Sequence, residues 1–370
     1  MPRIDHHTKP YDEGTINKLE IFSSYVESWL PTFIMQSHIL EVNIVDFFAG
    51  LGYDSLGRAG TPILILKKID GLFDLLMKRN TKINLYFNEY KHNKYEKLLE
   101  NCKSYLESNK RLSKFVTIHF SNKDFNEIYP EIIQKTLNQP NLFLIDQSGI
   151  RFTNQENFNT LLKLETTDIL FFIASSFFKR FNDKEEFNHH LHLDQELLKL
   201  NPYNFIHRLV LDTYRSLIPS NSKLKIFPFS IRKGSNIYGI IFGSKHIRGV
   251  EKFLQIAWNK SKINGEANYD IDEDVIKEQY ELDFDNCNII KQPTKIEIFQ
   301  NKLELFIKEK GEVTNHDLYY FTYENGHIAK HSKEKLSELR KTNKIYFKGH
   351  SKISWNFMNN KNLVTFKWIS

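Results

Sequence analysis

The sequence predicts an open, doubly wound α/β sheet, mostly parallel with an antiparallel hairpin at one edge, followed by a C-terminal winged-helix module. Three observations predict it. Between residues 42 and 175, short apolar runs alternate with amphipathic stretches of ten or more residues. That is the rhythm of parallel strands joined by right-handed crossover helices. Residues 224–231 and 236–244 are instead two apolar runs separated by Arg-Lys-Gly-Ser, which reads as a hairpin. Residues 294–357 read as three helices and then two β segments around Gly349-His350-Ser351-Lys352, the order of a winged helix.

The elements follow in order. Residues 16–30 place Ile16, Leu19, Phe22, Tyr25, Val26, Trp29 and Leu30 on one helical face, and Pro31 should end that helix or bend the chain there. A strand at 42–48 runs into a Gly-rich loop, and a helix is expected from about Pro62 to Lys78. Strands at 83–87, 115–120, 141–146 and 168–175 then alternate with helices at 92–108, 124–137 and 155–164. Residues 184–219 read as mostly helical, and 246–260 as a further helix. The domain reading is an N-terminal helical segment (1–40), a sheet domain (41–260) with a helical insertion at about 184–219, an acidic linker (261–293) and a last module (294–370).

Composition narrows the function classes. Hydrophobic residues are 41% and charged residues 26%, and thirty Phe with seventeen Tyr supply a large core, so global disorder is excluded. No apolar run suggests a membrane span, and the first residues lack the apolar stretch of a secretory signal. Two cysteines, Cys102 and Cys287, exclude a disulfide framework or a multi-Cys metal site built by this chain alone, and the expected compartment is a reducing cytoplasm. The net charge of +6 is uneven. Residues 291–370 carry fifteen Lys and Arg against eight acids, while the other 290 residues carry 36 against 37. A basic terminal module on a neutral body points to a polyanion partner, nucleic acid first, with an ordinary solvated face of Lys-rich composition as the alternative.

The loop Asp46-Phe-Phe-Ala-Gly50-Leu-Gly52 follows a strand and precedes a helix. Glycine lets the backbone turn sharply and approach a ligand, and a helix N-terminus offers unpaired N–H groups. The position three residues after Gly52 is Ser55, so the dinucleotide fingerprint is incomplete. Asp46, Phe48, Ala49, Gly50 and Gly52 are read as a ligand loop of another kind, with a plain turn that holds no ligand as the alternative. Glu89, just past the second strand, is placed to accept the two hydroxyls of a ribose. Asp124, past the third strand, could meet an adenine amino group, although Asp is also a preferred helix N-cap.

With these residues in hand, the chain resembles the three-Cys-motif partner proteins (TcmP family), relatives of the class I S-adenosylmethionine-dependent methyltransferases. The matching features are the helix from Lys18-Leu-Glu to Trp29, the loop Asp46 to Gly52, Gly60-Thr61-Pro62 and Glu89. Looser matches are Ile145-Asp146-Gln147-Ser148-Gly149 and the stretch from Ile240 to Gly249 with Trp258. The resemblance implies a Rossmann-like methyltransferase sheet, S-adenosylmethionine as cofactor, a genetic partner protein carrying a three-Cys motif, and a mobile-element or antiphage setting. It places Asp146 as the candidate catalytic carboxylate at the end of the fourth strand. The family pattern has Pro-Phe after that Asp, and Gln147-Ser148 stand there instead. Cofactor binding is thus better supported than turnover, and a non-catalytic adenosyl-binding partner is the alternative.

In the last module, residues 296–310, 315–323 and 330–343 read as helices, and 345–349 with 353–357 as a two-stranded wing. Lys333, Lys335, Arg340, Lys341, Lys344, Lys348 and Lys352 are the candidate nucleic-acid contacts, with protein docking as the alternative. His189-His190-Leu-His192, His6-His7, Cys102, the Phe pair at 177–178 and Trp258 read as surface, terminus or packing residues rather than sites. Ser148 lacks a nucleophile-elbow context.

Overall fold

The computed structural model describes residues 10–147, 154–173, 206–234, 236–277, 281–283, 288–290, 292–359 and 363–369. Ser148, Gly149, the His189–His192 tract, the Phe pair at 177–178, His6-His7, Cys287 and most of the expected helical insertion lie outside the described residues. The chain divides into two compact units, residues 1–246 and 247–370. The helix expected to close the sheet domain therefore lies in the second unit, together with the segment read as a linker. Within 261–277 that segment buries Asn264, Ala267, Ile271 and Asp274, which a solvated linker would not do.

The first unit contains a seven-stranded sheet ordered β3-β2-β1-β4-β5-β7-β6. Its strands are β1 (Glu41–Asp46), β2 (Lys82–Asn88), β3 (Val116–Ser121), β4 (Asn141–Ile145), β5 (Thr167–Ile173), β6 (Lys225–Lys233) and β7 (Asn236–Ser244). β1 through β5 pair in parallel, while β7 runs antiparallel to both β5 and β6. The connections are α2 (Thr61–Asp70), α3 (Phe73–Arg79), α4 (His92–Ser108), α5 (Phe125–Thr136), α6 (Gln155–Leu161) and α7 (Ile206–Ser216). β1 is buried from Val42 to Asp46 and β4 along its whole length, because both of their faces are covered. Phe47, Phe125, Tyr129, Phe143, Phe158, Phe171 and Tyr214 form one core cluster, where full burial of such side chains is worth about 1.5–3 kcal/mol each.

The helix at Pro31 does not end there, and one further helix differs from expectation. α1 runs Glu13–Ile34 with Pro31 inside it. Pro31 costs one intrahelical bond, but its carbonyl accepts from the Met35 N–H at 3.1 Å, and Leu30 and Ile34 remain fully buried, so packing carries the helix past it. The single helix expected at 62–78 is two, broken at Gly71-Leu72. Gly71 has poor helix propensity, and it caps α2 with an N–H to Lys67 O at 3.1 Å.

A row of amides crosses the sheet near the amino ends of its strands. Asn84, Asn43, Asn141 and Thr167 stand side by side on β2, β1, β4 and β5. Asn84 Nδ2 donates to Asn43 Oδ1 (3.2 Å), Asn43 Nδ2 to Asn141 Oδ1 (2.8 Å), and Asn141 Nδ2 to Thr167 Oγ1 (3.0 Å). Asn43 and Asn141 are fully buried.

The second unit begins with α8 (Ile247–Lys260) and includes α9 (Asp274–Lys277) and an antiparallel pair of strands, β8 (Glu281–Asp283) and β9 (Asn288–Ile290). Its winged helix comprises α10 (Lys295–Lys310), β10 (Glu312–Thr314), α11 (Asn315–Glu324), α12 (Ala329–Lys341), β11 (Ile345–Tyr346), α13 (Trp355–Asn359) and β12 (Thr365–Trp368). Thr294 and Thr314 each close a capping box, with Glu297 and Asp317 as partners. The wing differs from expectation. Residues 355–359 form a helix, and the strand pairing with β11 is β12, which also pairs with β10 in the order β10-β12-β11. Thr365–Trp368 alternates a buried Phe366 with exposed Lys367, whereas 353–357 shows no such alternation of burial. No helix among the described residues is long and apolar enough to cross a membrane.

Candidate functional site

The sheet order reverses between β1 and β4, so a crevice is expected outside the carboxyl ends of these strands. The loop from Asp46 to Gly52, Glu89 and Asp146 meet there. After β1 the chain turns away with Gly50 at φ 68° and Gly52 at φ 92°, conformations that favour glycine. Phe47 N–H donates to Leu144 O at 3.2 Å, and Ala49 N–H to Asn88 O at 2.9 Å, so the loop is bound to β4 on one side and β2 on the other. Gly50 N–H then donates to Glu89 Oε2 at 3.2 Å. Gly60 allows a second close approach. A Cβ there would lie 2.7 Å from the Tyr11 hydroxyl and 3.3 Å from Gly52 O.

Asp46 is 1% exposed and accepts from Phe48 N–H at 3.0 Å. Burial pushes its carboxyl up to about 7, and the nearby Asp146 and Glu89 add to this. The Phe48 N–H and the Lys18 ammonium oppose it. Glu89 Oε1 accepts from Lys91 N–H at 2.8 Å. Each carboxylate oxygen can accept two hydrogen bonds, so Glu89 retains capacity for a pair of hydroxyls. The donor set and the glycine cradle thus fit a ribose-bearing ligand. Phe48 stacks on Phe125 with ring centroids 5.6 Å apart. Asp124 caps α5, accepting from Asn126 N–H at 2.9 Å.

Sequence reading missed several parts of the site. Asn88 ties three segments together. Its Nδ2 donates to Phe47 O (3.2 Å) and Lys123 O (3.1 Å), while its Oδ1 accepts from Ser121 Oγ and Lys123 N–H. Asn101 on α4 holds Leu51 O at 2.7 Å. Asp54 accepts from the N–H groups of Leu56 and Arg58 and from Tyr11 N–H at 2.8 Å. The N-terminal segment is thereby fastened over the loop, and Arg58 Nη1 adds a bond to Tyr11 O at 3.0 Å. The Tyr11 hydroxyl is pushed well up by burial and by Asp54, Asp146 and Asp46. At the end of β4, Asp146 is paired with the Lys18 ammonium, and Gln147 is 1% exposed. An Asp at position 54 ahead of Gly57 is a signal that could have marked the Asp54–Arg58 turn, whereas Lys18 and Asp146 are 128 residues apart and carry no joint signal.

The basic candidates of the second unit divide. Lys333, Lys341 and Lys348 are exposed. Arg340 is exposed as well, with Nη1 on Gly349 O at 3.1 Å and its guanidinium 4.5 Å from the Phe347 ring centroid. Lys352 lies 4.6 Å from the Phe357 ring centroid. Lys335 corrects the sequence reading. It is 6% exposed and held by Glu304 and Glu338, both at 2.8 Å. Lys344 is paired with the same Glu304 at 2.8 Å. The amphipathic register of α12 turns Lys335 inward, where a carboxylate from α10 neutralises it. Lys330, Glu334, Ser337 and Glu338 share the outer face of α12 with Lys333 and Lys341. No group of three or more metal-ligating side chains occurs among the described residues.

Residues 268–349 match a family model described as a GMT-like wHTH domain. No curated protein matches the chain. Among solved structures, Trm1 from Pyrococcus horikoshii in complex with S-adenosyl-L-methionine is similar over 69% of this chain at 11% identity, with a TM-score of 0.38. The chain spans 61% of that protein, under two thirds of its length. The N-terminal domain of human METTL16 in complex with SAH is similar over 65% of this chain and 74% of its own, at 10% identity and a TM-score of 0.31. A putative O-methyltransferase from Klebsiella pneumoniae is similar over 64% of this chain and 90% of its own, at 10% identity and a TM-score of 0.32.

Proposed function

We propose that this chain is an S-adenosylmethionine-binding, methyltransferase-like protein that acts on or at nucleic acid. The observation that carries the reading is the Gly50–Glu89 contact at the strand-order reversal. It sets a glycine turn and a carboxylate with spare acceptor capacity side by side outside β1 and β2. Glu89 would orient a ribose, and the glycine turn would let the backbone approach the ligand. Asp124 and Phe48 would border an adenine. The bound cofactor supplies an electrophilic methyl group. The chain's own contribution is alignment in a dry site, with Asp146 holding the acceptor through a hydrogen bond. The resemblance to three-Cys-motif partner proteins adds a protein partner and an antiphage setting to this reading.

Calorimetry tests the site. S-adenosylmethionine and its demethylated product, S-adenosylhomocysteine, should bind the wild-type chain, and Glu89→Ala should weaken both by about 1.5–3 kcal/mol through lost charge-assisted hydrogen bonds. Unchanged affinity in the variant would remove Glu89 from the site.

A second reading, cofactor binding without turnover, has its own support. Lys18 engages Asp146, and buried Gln147 stands where the family pattern has Pro. A labelled-methyl assay on DNA, RNA and protein separates the two, since transfer to any substrate excludes the non-catalytic reading.

For nucleic acid, the exposed set Lys333, Arg340, Lys341 and Lys348 supports phosphate contact. If all four neutralise a phosphate, log affinity of the full chain for duplex DNA should fall with log salt at a slope of roughly −3.6. Binding that ignores salt, or no binding at low ionic strength, would favour protein docking instead.

A further inference from the structure

The recess at the carboxyl ends of β1, β2 and β4 is rich in acids, and a lysine from a distant helix reaches into it. Asp46, Glu89 and Asp146 lie close enough together that the latter two raise the proton affinity of the first. Lys18 comes from α1, with its side chain 11% exposed. Its ammonium pairs with Asp146, stands 4.8 Å from the centroid of the Phe172 ring, and is near enough to Asp46 to lower that residue's proton affinity. A carboxylate on one side and an aromatic face on the other is the environment that recognises an organic cation. A buried ammonium persists only where such partners compensate its desolvation. Lys18 therefore supplies from within the chain the positive charge that this recess would otherwise take from a ligand.

We infer that Lys18 is a specificity-determining residue for the charge of the cofactor: its ammonium borders the position of the ligand's sulfonium and biases the site toward the neutral thioether product over the cationic methyl donor. The inference rests on the adenosyl reading above and adds to it. S-adenosylmethionine carries its charge at sulfur, and S-adenosylhomocysteine is neutral there while sharing every group outside the sulfur centre. The methyl group also distinguishes them, so the change in their affinity ratio between wild type and a neutral Lys18 variant isolates the electrostatic effect. Two unit charges a few ångströms apart at an effective dielectric of about 20 repel strongly enough to change an equilibrium by tenfold or more. Removing the lysine charge leaves Asp146 and Asp46 to face the sulfonium alone, which favours the cation. The bias would make methyl-donor occupancy depend on displacement of the Lys18–Asp146 pair, for instance by an acceptor that engages Asp146.

Calorimetry on the full chain tests this with S-adenosylmethionine and S-adenosylhomocysteine as probes, for wild type, Lys18→Met, Lys18→Gln and Lys18→Arg. The wild type should prefer the homocysteine form. Lys18→Met and Lys18→Gln should shift the affinity ratio toward S-adenosylmethionine by tenfold or more, and Lys18→Arg, which keeps the charge, should retain the wild-type ratio. Thermal midpoints measured alongside report any structural role. Binding of both ligands with an unchanged ratio in the neutral variants, whatever their midpoints, would overturn the inference and leave the adenosyl reading standing. Binding of neither ligand to the wild type would overturn the adenosyl reading itself, and the inference with it.

Discussion

Gly265→Ala is expected to destabilise residues 247–370 by about 3 kcal/mol or more, from a strained backbone conformation combined with overpacking. Gly265 adopts φ 62°, and a Cβ there would lie 2.3 Å from two ring atoms of Trp258. Neither partner can move cheaply. Trp258 is 2% exposed, its Nε1 donates to Gly326 O at 2.9 Å, and its ring meets His331 at a centroid distance of 4.3 Å. The turn carrying Gly265 is fixed by Asn264, whose Oδ1 accepts from Glu266 and Ala267 N–H and whose Nδ2 donates to Tyr269 O. Three of the four tryptophans, Trp258, Trp355 and Trp368, belong to this unit, so fluorescence-detected thermal unfolding reports on it. A midpoint matching wild type would show that the turn yields without loss.

The second large effect is acid destabilisation of the same unit. His327 and His331 are buried with Nδ1 atoms 3.1 Å apart, and the His327 ring stacks on Phe299 at 4.0 Å. Burial pushes both imidazoles down, His327 well below its ordinary value and His331 to about 4. Lys295 and Lys302 push His327 further down, Glu266 opposes them, and Lys330 and Lys295 act on His331. The folded state therefore holds these rings neutral at a pH where the unfolded chain protonates them near 6.5. Stability is fully present above that pH and is lost as pH falls toward 4, by at most about 1.4 kcal/mol per pH unit for each histidine. His331→Gln should lower the slope of stability against pH across this window. A slope identical to wild type would mean that other groups carry the acid sensitivity.

The sequence made the sheet legible because burial on both faces demands apolar runs. Ile44, Leu85, Phe143 and Leu170 sit in strands expected from such runs, and the helices between them carry an apolar stripe. The loop from Asp46 to Gly52 and Glu89 were legible because strand ends place them on one edge. Contacts between distant residues left no local trace. Lys18 reads as one more polar position on a helix, and only the packing of α1 brings it to Asp146. Lys335 reads as a basic surface residue until Glu304, 31 positions earlier, turns out to be its partner. The wing was misplaced because Ile353 to Phe357 has strand-like composition, while the strand that pairs comes later, where Phe366 is buried between exposed and half-buried neighbours.

The amides that cross β2, β1, β4 and β5 also constrain how this sheet can assemble. Hydrocarbon side chains on parallel strands are nearly interchangeable, so a strand displaced by two positions would still bury oil against oil. Moving β4 by two residues along β1 would instead bring Phe143 to Asn43, or Asn141 to Val45. Either displacement sets a buried amide against carbon and breaks the Asn43–Asn141 hydrogen bond, a net loss of about 0.5–1.5 kcal/mol. Only one alignment joins Asn84, Asn43, Asn141 and Thr167, so the row acts as a vernier that rejects misaligned assemblies during folding. The same alignment fixes how far the far ends of β1, β2 and β4 project, and with it the relative heights of Asp46, Glu89 and Asp146.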